Sequence, residues 1–197
     1  MAEEYFQRLT QMSDELSERD DEIKALKDQV ANLQVALRWR DESQDSVEPV
    51  EDTPPATVED AVLMAMERFT STLLFGAEVT AGVESLSPDA GPPDKVLSYL
   101  EALSALTAAR QQGPLGTTPV KWLEALGVIA SGESETIRTS AAEMQARTWD
   151  DGCGVKRPFE MHLKPNEGTA PDRCVRIYFD YDEALGKTIV AWVGRHP

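Results

Sequence analysis

Leu9, Leu16, Ile23, Val30 and Leu37 recur every seven residues, and Met12, Leu26 and Leu33 each follow a member of that row by three. Apolar residues spaced this way form one stripe along a helix, suited to a second identical stripe, the alternative being a single amphipathic helix folded back on its own domain. β-Branched Ile23 and Val30 at the first inner position, with Leu26 and Leu33 at the second, favour two parallel strands. Residues 1–40 are therefore predicted to be a coiled coil that makes a homodimer through residues 5–39. Glu22 is placed to meet Lys27 of the partner helix, and Arg19 interrupts the seam at an inner position. The pattern stops at residues 41–57, DESQDSVEPVEDTPPAT, where acids and prolines leave almost nothing to bury. Such a segment is expected to be a flexible, self-repelling linker.

Helical spacing returns at residue 58. Thr57 followed by Asp60 has the form of a helix cap, and Val58, Ala61, Val62, Ala65 and Phe69 then form one face. A short apolar strand is predicted at residues 72–75 and a helix at 77–86. After the loop SPDAGPPD comes a long helix from Pro93 to Arg110, with Val96, Leu97, Leu100, Leu103 and Leu106 along one side. Thr118 and Pro119 open a shorter helix that Gly127 stops.

Beyond about residue 140 the period changes from helical to alternating. Strands are predicted near residues 144–149, 157–163, 174–181 and 187–193, the last two forming an antiparallel hairpin. In the first strand of that hairpin Val175, Ile177, Phe179 and Tyr181 share one face, and Cys174, Arg176, Tyr178 and Asp180 share the other. The expected fold is α+β: a coiled coil, an acidic linker, and a globular domain over residues 58–197. That domain is expected to be helical over 58–140 and to end in a small antiparallel sheet over 141–197.

Charge sharpens this division. The 197-residue chain carries a formal net charge of −16. Residues 1–60 hold 17 acids and 6 bases, whereas residues 145–197 hold 8 of each. Only the C-terminal part can face a polyanion without repulsion, and only if the fold gathers Lys156, Arg157, Lys164, Arg173, Arg176 and Arg195 on one side. No apolar stretch approaches the ~18 residues of a membrane span, so a cytoplasmic protein without a membrane partner is expected.

The closing segment, RIYFDYDEALGKTIVAWVGRHP, resembles the end of toxins of the RelE, YoeB and HigB type. In them an arginine-bearing strand of the form R-[ILV]-x-[YF] pairs with a closing apolar strand that ends near a histidine. The resemblance covers about the last 45 residues. It implies a toxin-antitoxin type of endoribonuclease that cuts messenger RNA on the ribosome, with Arg176, Arg195 and His196 as catalytic residues. Tyr178, Lys164 and Arg173 would then bind nucleic acid. The terminal tyrosine of those proteins is replaced by Pro197 here. Cleavage by an RNA 2′-hydroxyl needs proton transfer, which histidine supplies, and stabilisation of a charged phosphorane-like state, which arginine supplies. Glu160 and Glu167 are possible general bases that spacing does not distinguish. The alternative is a non-enzymatic interaction module, regulatory or scaffolding, that binds a protein or a nucleic acid.

Other chemistry is not indicated. Cys153, His162, Cys174 and His196 lack the paired spacing of zinc ribbons and fingers, and the two cysteines read as reduced thiols, so neither metal nor cofactor is expected. Phosphate-binding loops, dinucleotide fingerprints and nucleophile elbows do not occur. Asp150 and Asp151 before Gly152 read as turn residues, and Trp122 and Trp192 as core.

Overall fold

The computed structural model describes residues 53–197, together with Arg19 and Ile23, both helical and exposed. The rest of the predicted coil and the linker up to residue 52 lie outside the described residues. The domain opens as the sequence predicts. Helix α1 (Val58–Arg68) starts at a reciprocal cap in which Thr57 Oγ1 accepts from the Asp60 amide at 3.1 Å and Asp60 Oδ2 accepts from the Thr57 amide at 2.9 Å. Its buried face is Val58, Ala61, Val62 and Ala65. Strand β1 (Leu73–Phe75) and helix α2 (Val79–Glu84) follow. The long helix α3 (Pro93–Gln112) begins with proline, whose missing amide costs nothing in a first turn, and ends at Gly113. Thr118 caps α4 (Pro119–Ala125).

Strand β2 (Ala130–Gly132) comes next, then helices α5 (Glu135–Thr139) and α6 (Ala141–Ala146), and strands β3 (Thr148–Asp150), β4 (Lys156–Pro158) and β5 (Met161–Leu163). A short 3-10 turn, Pro171–Arg173, leads into the closing hairpin, β6 (Val175–Asp182) and β7 (Lys187–Arg195). The main sheet has the order β1-β7-β6-β5-β2. The α+β class stands, with one change: β1 runs parallel to β7, so the sheet is mixed rather than antiparallel throughout. Joining Leu73–Phe75 to Thr188–Val190 across the whole domain closes the first strand against the last.

Three local expectations are corrected. Residues 144–149 are not one strand: Ser140 caps α6 through the Glu143 amide, leaving three residues for β3. Residues 157–163 are not one strand either. The chain leaves β4 at Pro158, the Phe159 amide bonds to the Arg147 carbonyl, and only then does β5 enter the main sheet. Finally, the region expected to be helical up to residue 140 contains β2, an edge of the main sheet.

The layers follow from the two faces of β6 and β7. Val175, Ile177, Phe179, Val190 and Val193 face α1 and α3 in the main core. Two buried hydroxyl pairs fix α3 on that side, Thr107 with Thr188 at 2.6 Å and Ser104 with Thr72 at 2.7 Å. The β3–β4 hairpin covers part of the opposite face, where Trp149, Phe159, Tyr178, Ile189 and Ala191 form a second buried cluster. Trp149 stacks on Trp192 with ring centroids 5.3 Å apart and lies 5.0 Å from Tyr178. Tyr178 pairs with Trp192 while Phe179 pairs with Val190, which makes Ala191 a one-residue bulge in β7. The bulge lets Val190 and Val193, three residues apart, face the same core. Where α2 meets β7, backbone touches backbone: a Cβ on Gly194 would lie 2.5 Å from the Gly82 carbonyl oxygen.

Candidate functional site

The second face of the sheet carries most of the ionisable groups that are deeply buried. Ser131, His162 and Tyr178 stand directly opposite one another on β2, β5 and β6, so their side chains share that face. Glu133, just beyond β2, reaches under the row. Its Oε1 accepts from the Tyr178 hydroxyl at 2.7 Å and from Arg147 Nε at 2.7 Å. Arg147, 1% exposed, also donates to the carbonyl and carboxylate of Glu143 at 2.8 and 2.9 Å. These bonds tie α6 and the start of the β3–β4 hairpin to the sheet edge.

The electrostatics follow from that wiring. Burial works to raise the Glu133 carboxyl, yet the hydrogen bonds from Tyr178 and Arg147 prevail and hold it below the ordinary carboxylate range. Burial, reinforced by the bond to Glu133, pushes the Tyr178 phenol up. Burial lowers the His162 imidazole to about 4, against the attraction of Glu133 and with the help of the positive charges of Lys164 and Arg176.

Ser131, His162 and Glu133 have the connectivity of a catalytic triad without its geometry. Ser131 Oγ lies 3.2 Å from His162 Nε2, but His162 Nδ1 is 3.7 Å from a Glu133 oxygen that already has two donors, and it has no hydrogen-bond partner. A carboxylate oxygen already bonded to Arg147 and Tyr178, and 3.7 Å from Nδ1, does not orient the ring as a base. The contacts link β2, β5 and β6 to Glu133.

The six residues singled out from sequence divide between locations. Arg176, Tyr178 and His196 come to this face: the His196 ring lies 6.2 Å from that of His162 and 6.4 Å from that of Tyr178. Continuing the β5–β6 register sets Lys164 opposite Arg176 on the same side. Arg195 does not join them. It pairs with Val175, whose side chain is in the helix-side core, and adjacent residues point to opposite faces. Arg173 lies in the 3-10 turn and forms an ion pair with Asp89 at 3.0 Å. The Tyr178 ring is fully buried beneath Trp149 and its hydroxyl is committed to Glu133, so neither is presented at the surface.

Most other bases of the C-terminal part are neutralised locally. Arg157 Nη1 meets Asp180 at 2.7 Å, and Lys156 approaches Glu78 at 3.7 Å. Arg176 differs. Only 9% exposed, it donates through Nη1 to the carbonyls of Asn166 and Val175, both at 2.8 Å, and has no ion pair among the described residues. Its Nε has no hydrogen-bond partner.

The turn reading of Asp150 and Asp151 holds: their carboxylates accept the amides of Gly152 at 2.7 Å and Cys153 at 2.9 Å. Glu133, Arg147 and His162 were not singled out as a network because their partners lie far apart in sequence, and no spacing marks them. Among the described residues no group of three or more potential ligands is placed to hold a metal ion, and no helix is long and apolar enough to cross a membrane. None of the family models, curated proteins or solved structures compared with this chain matches it.

Proposed function

We propose that this chain is a non-enzymatic RNA-binding interaction module, dimerised through residues 5–39, which meets its partner on the Lys164, Arg176 and His196 side of the sheet. One observation supports this reading above others: Arg176 and Lys164 stand opposite each other on that face while most neighbouring bases have carboxylate partners. The same contacts argue for holding rather than cutting. The Tyr178 hydroxyl is bonded to Glu133, and Arg176 is anchored to two carbonyls, so neither group is free to follow a reacting phosphate. The acidity of residues 1–60 suits a partner recognised at one local site, since long-range attraction of a polyanion is unavailable. The test is fluorescence anisotropy of a labelled single-stranded RNA with the full chain at low and moderate salt. Saturable binding weakened by Lys164→Met, with the RNA intact afterwards, is expected. Equal affinity for both proteins would overturn the reading.

A second reading keeps the ribosome-dependent endoribonuclease that the toxin resemblance implies. The observation favouring it is the 6.2 Å approach of His196 to His162, two imidazoles close enough to act on one phosphodiester. Induction in a bacterium followed by mapping of RNA ends separates the two. New ends that vanish in His196→Ala favour cleavage, and an unchanged transcript pattern with unimpaired growth rules it out.

A further inference from the structure

A guanidinium taken out of water needs an opposite charge or a full set of acceptors, and Arg176 has neither: two carbonyls satisfy Nη1, Nε has nothing, and no carboxylate among the described residues pairs with it. Lys164 adds to the imbalance. Like charges directly opposite on neighbouring strands repel, and among the described residues the carboxylate paired with the Lys164 ammonium is Glu167, at 3.9 Å and more than half exposed. The segment beside them is held in place. Asn166 donates to the carbonyls of Gly91 at 2.7 Å and Arg173 at 2.8 Å, accepts from the Val175 amide at 2.8 Å, and offers its own carbonyl to Arg176. Arg176, buried with an unused donor, is thus fixed before any ligand arrives, with Lys164 opposite it.

We propose that Arg176 and Lys164 form a binding site for a phosphate group, with His162 and His196 as its walls. Arg176 Nε and the Lys164 ammonium are the donors, and the charge of the phosphate offsets the repulsion between them. Phosphate fits better than a neutral polar group because only an anion removes the unpaired charge. The inference names the chemistry recognised at the face proposed above to bind RNA and rests on that reading for the biological source of the phosphate. The phosphate itself is testable alone.

The experiment titrates the full chain with inorganic phosphate against sodium chloride of equal ionic strength, following thermal unfolding and the imidazole NMR signals of His162 and His196. Phosphate is expected to raise the unfolding temperature where chloride does not, and to move both imidazole signals. Lys164→Met is expected to weaken phosphate binding at least tenfold while leaving the unliganded protein folded. Arg176→Lys, which keeps the charge and removes Nε, is expected to weaken it as well. Equal responses to phosphate and chloride, or full affinity in Lys164→Met, would overturn the site. If phosphate binds through Lys164 but a single-stranded RNA does not displace it, the site stands and the RNA reading falls. If RNA binds and phosphate has no effect, the site falls and the RNA reading stands.

Discussion

Tyr178 donates its hydroxyl to Glu133 across 2.7 Å, although 45 positions separate them in the chain. The same carboxylate oxygen holds Arg147, so one atom joins the central strand β6, the edge of the sheet and the helix that leads to the β3–β4 hairpin. Tyr178→Phe leaves the ring packing intact and removes one donor to a charged acceptor, which costs about 1.5–3 kcal/mol. Arg147→Met leaves Glu133 buried without its cation and should cost more, about 3–5 kcal/mol. Urea denaturation of both variants checks the order. Adding Glu133→Gln to Arg147→Met should recover part of the loss, and strictly additive losses would show that the pair is not coupled.

Acid should loosen this part of the domain in a defined window. The folded state holds His162 near 4, below its ordinary 6.5, so between those values the unfolded chain binds a proton that the folded chain refuses. Stability contributed by the neutral imidazole is therefore full above about pH 6.5 and is lost as pH falls towards 4. The loss is about 3.5 kcal/mol at most, from ~1.4 kcal/mol per pH unit. Protonation of Glu133, held below the ordinary range, adds a further loss at the acid end. Denaturation midpoints measured across this range should slope downward in the native protein and flatten in His162→Gln. Parallel profiles would remove His162 as the cause.

The contact of α2 with β7 leaves no room for a methyl group at two positions. A Cβ at Gly82 would come within 2.6 Å of the Val193 carbonyl oxygen, and one at Gly194 within 2.5 Å of the Gly82 carbonyl oxygen. Because the obstacles are backbone atoms, they cannot swing aside as a side chain would. Gly82→Ala and Gly194→Ala should each destabilise by about 1–3 kcal/mol. Gly113→Ala meets no atom within 4 Å, and its cost comes only from the left-handed backbone at φ 146°. Thermal unfolding of the three variants separates overpacking from backbone strain.

Deleting residues 1–52 tests the coiled coil. The full chain is expected to run as a dimer by light scattering and the truncated chain as a soluble monomer with the same domain spectrum. Of the predicted seam, Ile23 is among the described residues and is 48% exposed. A dimer that persists in the truncation would place the contact in the domain, and aggregation would mean that the deleted segment covers it.

Features set by neighbours in sequence were legible. The Thr57 cap, the length of α3 and the two faces of β6 each depend on side chains a few positions apart, where period and capping chemistry act directly. Features set by tertiary pairing were not. Strands β2, β3, β4 and β5 have three residues each, too few for an alternation to declare itself, and β1, legible as a short apolar run, gains its parallel place from Thr188–Val190 at the far end of the chain. Among the site residues, Arg176 and Lys164 reached the same face because strand register carries them there. Arg195 was separated from His196 because neighbouring positions on a strand diverge.

The Ala191 bulge acts as a phase shift on everything after it. Were Ala191 to take a place of its own in the ladder, alternation from Val190 would send His196 to the helix side and bring Arg195 to the Arg176 side. With the bulge the two exchange places, and the imidazole instead of the guanidinium lies next to Tyr178 and His162. The chemical character of the sheet's second face is thus decided by parity. Deleting that one small, buried alanine would straighten β7 and leave His196 where it is, whereas drawing it into the ladder would change no charge and yet replace a histidine there by an arginine.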